Sequence, residues 1–251
     1  VGSEMCIRDS SYSIYPGKTL GIVGESGSGK SVSAMSVLRL LDANGYIAGG
    51  TVTFDGQDLS KVTTEQMYHI RGNRISVIFQ EPMTSLNPVF SVKKQLSEPF
   101  IIHQGMSKKE AAAKCIEMLK AVQIPNPEAV AKQYPHQLSG GMRQRAGIAR
   151  TLAMNPKVIL MDEPFAGNDL FNREDFYKVL VGILEPQETL LLSTHLLEET
   201  APFLSRALLL RQGTLVADLD PLALEETGAD LLSYVKRAYH YQADRVSRAL
   251  T

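Results

Sequence analysis

The run "GESGSGKS", Gly24 to Ser31, sets Gly24, Gly29, Lys30 and Ser31 in the order G-x-x-x-x-G-K-[ST]. Between a strand and a helix, that order makes a phosphate-binding loop. Gly27 and Gly29 let backbone N–H groups curl around a β-phosphate with no Cβ in the way, and Glu25, Ser26 and Ser28 complete the cradle. Lys30 would lie against β- and γ-phosphate oxygens, and the Ser31 hydroxyl would be a ligand for Mg²⁺. A glycine-rich turn with no ligand is the alternative.

A second chemical run lies far downstream. "VILMDEP", Val158 to Pro164, is four apolar residues followed by an acidic pair. An apolar run of that length reads as a buried strand, and in open α/β sheets ligands bind at the strands' carboxyl ends. Asp162 would hold Mg²⁺ through water, and Glu163 could polarise an attacking water as a general base. An acidic pair after an apolar strand is common, so its meaning depends on the phosphate loop.

Between the two stands "QLSGGMRQR", Gln137 to Arg145. Ser139, Gly140 and Gly141 precede a helical pattern, and a helix N-terminus fronted by glycine is an anion site. A plain cap by Ser139 would also be adequate, but it leaves the glycine pair unexplained.

These residues need elements to hold them. "KTLGIVG" reads as a buried strand before the loop, with a helix from about Lys30 to Leu41 after it. "TVTFDGQDL" alternates and then carries Asp55-Gly56, the mark of a hairpin or strand end. "ISVIF" is another buried strand. From about Val92 to Met154 the pattern is helical, with a capping box at Ser107 and Glu110. Strands return in "KVILMDEP", "TLLLSTH", "ALLLRQG" and "TLVADL", with a helix near Asn172 to Leu184. The expected fold class is α/β, a mainly parallel sheet with an inserted α-helical subdomain at about 92–154. The last thirty residues read as an amphipathic helical tail.

Composition narrows the possibilities. A formal net charge of -1 over 251 residues argues against a broad nucleic-acid footprint, so no nucleic-acid partner is expected. Cys6 and Cys115, without pairing or metal-ligand spacing, fit a reducing compartment. No apolar run approaches the ~18 residues needed to span a bilayer. The opening "VGSEMCIRDS" has no signal-peptide core and is set aside as a non-native segment at 1–10, with the native N-terminus expected to be missing.

The order of these motifs, with "LSTH" last, resembles the ATP-binding subunits of ABC transporters from about Ser11 to Leu219. The resemblance implies an ABC ATPase domain of the P-loop, RecA-like class at 11–219 and a separate helical tail at 220–251. It implies ATP and Mg²⁺ as cofactors and a head-to-tail pair of ATP-binding subunits. Ser139, Gly140 and Gly141 would then face the γ-phosphate held by the neighbouring subunit. Gln80 fits the Q-loop glutamine, which touches Mg²⁺ or the attacking water; His195 fits the switch histidine, and Asp169 the D-loop aspartate. Transmembrane permease subunits would be the other partners, on the cytoplasmic face of the membrane.

Two departures stand out. Gly167-Asn168-Asp169 puts Asn where the family's D-loop has leucine. The family's adenine-stacking aromatic would fall inside the opening decapeptide, and Tyr12 and Tyr15 are too close to Lys30 to take its place.

"FQEPMTSLNPVFSV" and "YPHQLSGGMRQR" resemble ATPases of oligopeptide, dipeptide and nickel importers. The C-terminal third, with "FAGNDLFNREDFYKVLVGILEPQETLLLSTHLLEE", looks more like exporter ATPases, and the change falls at "LMDEP". Peptide import is therefore the expected function. Drug or peptide export and a fused, non-functional domain are the alternatives. The ABC ATPases of DNA repair need a long coiled-coil or zinc insertion between the nucleotide motifs, and only an ordinary helical block lies between Gly29 and Ser139.

Overall fold

Alternate residues of the central strands face opposite sides of a sheet, and here both sides are apolar. The computed structural model describes residues 10–79, 86–164 and 186–239. Its strands are β1 (Thr19–Val23), β2 (Thr53–Phe54), β3 (Gln57–Asp58), β4 (Ile75–Ile78), β5 (Val158–Asp162), β6 (Thr189–Thr194), β7 (Arg206–Arg211) and β8 (Thr214–Leu219). The main sheet runs β4-β5-β6-β1-β7-β8. Its first five strands are parallel and β8 is antiparallel to β7. β2 and β3 form a separate hairpin around Asp55-Gly56.

The helices are α1 (Lys30–Val37), α2 (Thr64–Ile70), α3 (Val92–Gln104), α4 (Lys108–Ala121), α5 (Pro127–Val130) and α6 (Gly140–Leu152), with further short helices at Leu197–Thr200 and Pro221–Glu226. Strand parity assigns them to two layers. Leu160, Leu191 and Leu208 pack with Ala34 and Leu38 at α1 and Met67 of α2. Ile159, Met161, Leu192 and Leu209 pack on the other face with Leu96 of α3, Leu119 of α4 and Ile148 of α6. α1 thus lies against one face of the sheet, and α6 joins the helical block to it at the other, with α3 and α4 packed on α6 and on each other. β6 is buried along its whole length, whereas β8 alternates between exposed and half-buried, as an edge strand does.

Several local signals act as the sequence predicts. Ser107 and Glu110 form the capping box of α4. The helix after the phosphate loop is shorter than expected, ending at Val37 rather than near Leu41. There Arg39 turns left-handed (φ 54°). Arg71, 33 residues along the chain, donates from Nε and Nη2 to the Leu38 carbonyl at 3.0 and 2.6 Å. A side chain from α2's end therefore satisfies the carbonyl that another helical turn would have used.

Among the described residues the tail is helical, in two pieces. Asp220 caps Pro221–Glu226, Gly228 turns left-handed at φ 75°, and a second helix occupies 231–239. Asp230 starts it by accepting from the Ser233 N–H at 2.8 Å. The expected helix near Asn172 to Leu184 and the opening segment before Ser10 lie outside the described residues. No helix among the described residues is long and apolar enough to cross a membrane.

Candidate active site

β1 ends at Val23 and the chain leaves the sheet as a tight loop. Gly27 (φ 77°) and Gly29 (φ 101°) both take left-handed backbone, which costs a residue with a Cβ free energy. Gly29 is the N-cap of α1, with no side-chain cap and no acidic residue in the first turn. The unpaired amides and positive end of α1 are therefore left to whatever the loop encloses. The Ser28 hydroxyl is buried and has no hydrogen-bond partner.

Lys30 is buried at 5% exposure. Its ammonium donates to the carbonyls of Gly24 and Glu25 at 2.9 and 3.0 Å and pairs with Glu163 Oε1 at 3.2 Å. That places the loop's charge inside the cradle.

Parity explains how Asp162 reaches the same place. Leu160 faces the α1 layer, so Asp162, two residues on, faces it too. Ser31 Oγ donates to Asp162 Oδ1 at 2.7 Å. Ser193, opposite Asp162 in the β5–β6 register, also donates to Oδ1.

Glu163 follows the strand with φ 44°, a left-handed conformation unusual for a residue of its type. Its N–H donates to the Ser193 carbonyl at 2.9 Å. Oε2 accepts from the His195 backbone N–H at 3.2 Å and lies 2.7 Å from His195 Nδ1. Lys30, Glu163 and His195 thus form a continuous polar chain from the loop floor to the surface, where His195 is 51% exposed.

The sequence-predicted residues divide into three groups. Lys30, Ser31, Asp162, Glu163 and His195 come together, with Gly24 to Gly29 around them. Ser139, Gly140 and Gly141 stand elsewhere, at the start of α6, where Ser139 Oγ accepts from the Met142 N–H at 3.3 Å. Gln80 and Asp169, with Gly167 and Asn168, lie outside the described residues. Ser193 was missed: it is a small hydroxyl ending an apolar strand, and only the strand register brings it beside the acid. Tyr12 is committed to α1, its hydroxyl 3.1 Å from Ser33 Oγ, and Tyr15 is 60% exposed.

The donor set fits a nucleotide with Mg²⁺. Free helix amides, a buried ammonium and an unpartnered hydroxyl suit phosphate oxygens. Mg²⁺ keeps several waters and takes one or two protein oxygens beside phosphates, as Ser31 and Asp162 could supply. No cluster of three or more His, Cys, Asp or Glu that could hold a metal exists among the described residues.

The chain is similar to known proteins. A family model described as ABC transporter matches residues 7–166. A protein named probable peptide ABC transporter ATP-binding protein y4tR, from Sinorhizobium fredii, is 42% identical over 207 residues, 82% of this chain and 62% of that protein. The oligopeptide transport ATP-binding protein AppD of Bacillus subtilis is 39% identical over 218 residues, 85% of this chain and 66% of its own. The chain thus spans less than two thirds of the length of either relative. Among solved structures, the ATP-binding cassette MJ0796, a dimer in a post-hydrolysis state with ADP and Pi, is 28% identical with a TM-score of 0.74, covering 88% of this chain and 93% of its own.

The match to AppD corrects the expected division at Met161. A matched stretch of 218 residues is too long to end there. The likeness to peptide-transport ATPases therefore runs through "LMDEP" into the C-terminal third, and a fusion of two genes is unsupported.

Proposed function

We propose, from the premise that this chain belongs to the ABC transporter family, that it binds and hydrolyses ATP to power peptide import. One observation carries the reading. Lys30, Ser31, Asp162, Glu163 and His195 are joined by hydrogen bonds and an ion pair where β1, β5 and β6 end. The peptide class is supported by the names of the relatives. In this reading the ATP-binding domain spans 11–219, with the helical subdomain at 92–154 and the tail at 220–251.

Each role follows from the chemistry of the group. The loop amides at the start of α1 and the ammonium of Lys30, which exchanges its present partners for phosphate oxygens when the nucleotide binds, neutralise phosphate charge. Ser31 and Asp162, with Gln80, would hold Mg²⁺, and Ser193 fixes the Asp162 carboxylate by its own hydrogen bond. Bound Mg²⁺-ATP supplies the electrophilic phosphorus and further charge compensation. Glu163 orients the attacking water and takes its proton, while His195 holds the Glu163 carboxylate and faces the γ-phosphate side.

Ser139, Gly140 and Gly141 act on the nucleotide of a second ATP-binding subunit, placed head to tail, with Asp169 at the junction. Permease subunits hold the pair at the cytoplasmic face of the membrane. Titration of Mg²⁺-ATP into the Lys30→Ala protein tests the site, with binding expected to be lost or nearly so. Equal affinity for variant and parent would remove the assignment.

A further inference from the structure

The phosphate loop has a back wall, and the C-terminal tail reaches it. The Leu210 carbonyl of β7 lies so close to Gly24 that a Cβ there would collide with it and with the Ser28 side chain. Three residues on, the Gly213 N–H donates to the Ser28 carbonyl at 2.9 Å. The end of β7 and the turn after it therefore grip the loop at both ends.

The helix at 231–239 packs on the same strand from outside. Leu231 and Val235 are buried in the cluster that holds Leu209. Tyr239, one turn beyond Val235 on the same helix face, donates from its hydroxyl to the Leu210 carbonyl at 3.3 Å. Burial raises the pKa of the phenol, against the opposing effect of the Glu25 backbone amide and of Arg211, and the Glu25 carboxylate adds to the rise. The phenol therefore remains a protonated donor at neutral pH. One hydroxyl thus touches the carbonyl that backs Gly24 and faces the residue after it.

An open groove of about 510 Å³ runs beside this helix, lined by Leu209, Val216, Tyr234 and Arg237 among others. A helix of this length, held to the sheet by a few side chains, opens locally at a smaller cost in free energy than the core strands do.

We propose that Tyr239 is a positioning residue for the phosphate loop, and that nucleotide binding and docking of the C-terminal helix are coupled through it. The inference rests on the nucleotide site proposed above. Coupling of this kind is reciprocal: whatever the docked tail adds to ATP affinity, bound ATP returns to tail docking.

The test is calorimetric titration of Mg²⁺-ATP into the full chain, its Tyr239→Phe variant and a Tyr234→Phe control that lines the same groove. Losing one hydroxyl bond should weaken binding about fivefold in Tyr239→Phe and leave the control near the parent. If Tyr239 served the fold alone, the variant would lose thermal stability and keep the parent's affinity, which overturns the proposal. Hydrogen exchange on the unmodified chain gives a check that no misfolding can blur. The amides of 231–239 should exchange more slowly with Mg²⁺-ATP than without, and exchange indifferent to nucleotide overturns the coupling. A parent chain that binds no ATP would instead sink the nucleotide site itself, and the coupling with it.

Discussion

Glu163 is held from three directions: by Lys30 on one oxygen, by His195 on the other, and by Ser193 at its backbone N–H. Its left-handed backbone costs on the order of 1–2 kcal/mol, so its neighbours must over-determine its place. A carboxylate so fixed can serve as a base without searching for its orientation. Glu163→Gln keeps the shape and removes the base. Single-turnover assays should show hydrolysis slowed by roughly 10²–10⁴-fold with ATP still bound, and size-exclusion chromatography should show an ATP-bound dimer accumulating. Asp162→Asn should instead lose Mg²⁺-dependent binding. Near-normal turnover in Glu163→Gln removes the assignment of the base. At this scale the sequence was informative because Lys30, Ser31, Asp162 and Glu163 stand in short runs with fixed spacing. Ser193 was not legible, since its role arises from pairing with a strand 31 residues away in sequence.

Element boundaries follow a different logic. Capping boxes are local, and the one at Ser107 was readable for that reason. The end of α1 is set by Arg71, whose guanidinium reaches back from α2, and no local pattern around Leu38 announces it. α6 poses the opposite case. Gly140 and Gly141 are helical with negative φ, so neither needs the freedom of glycine. Replacing Gly140 with alanine should then stabilise the isolated chain, by up to about 1 kcal/mol in denaturant unfolding. A bulky residue tells the functional half. Gly140→Val should leave ATP affinity of the monomer unchanged while blocking ATP-driven dimerisation, measured by light scattering. A collapse of monomer affinity would place the glycine pair in its own chain's site.

Across the whole molecule, strand parity divides the labour: one face of the sheet carries the phosphate-loop layer and the other the helical block. The alternation of strands and helices made the α/β class readable, but not the sheet order, because adjacency in the sheet skips along the chain. Cys115 sits in the helical block's core, its thiol pushed up to about 11 chiefly by burial. With so little thiolate at pH 8, it should resist alkylation in the folded chain and react once denatured, as mass spectrometry of the Cys115 peptide would show. Rapid labelling under native conditions would mean that the block opens. The sheet order also sets a timetable. β1 pairs with β6 and β7, whose residues Leu191 and Arg206, the partners of Leu20, lie about 170–190 residues downstream of it. During synthesis at about 5–20 residues per second, the strand that leads into the phosphate loop must wait roughly ten to forty seconds for either neighbour. Throughout that interval its apolar residues have no sheet to join, and the nascent chain has to shelter them some other way.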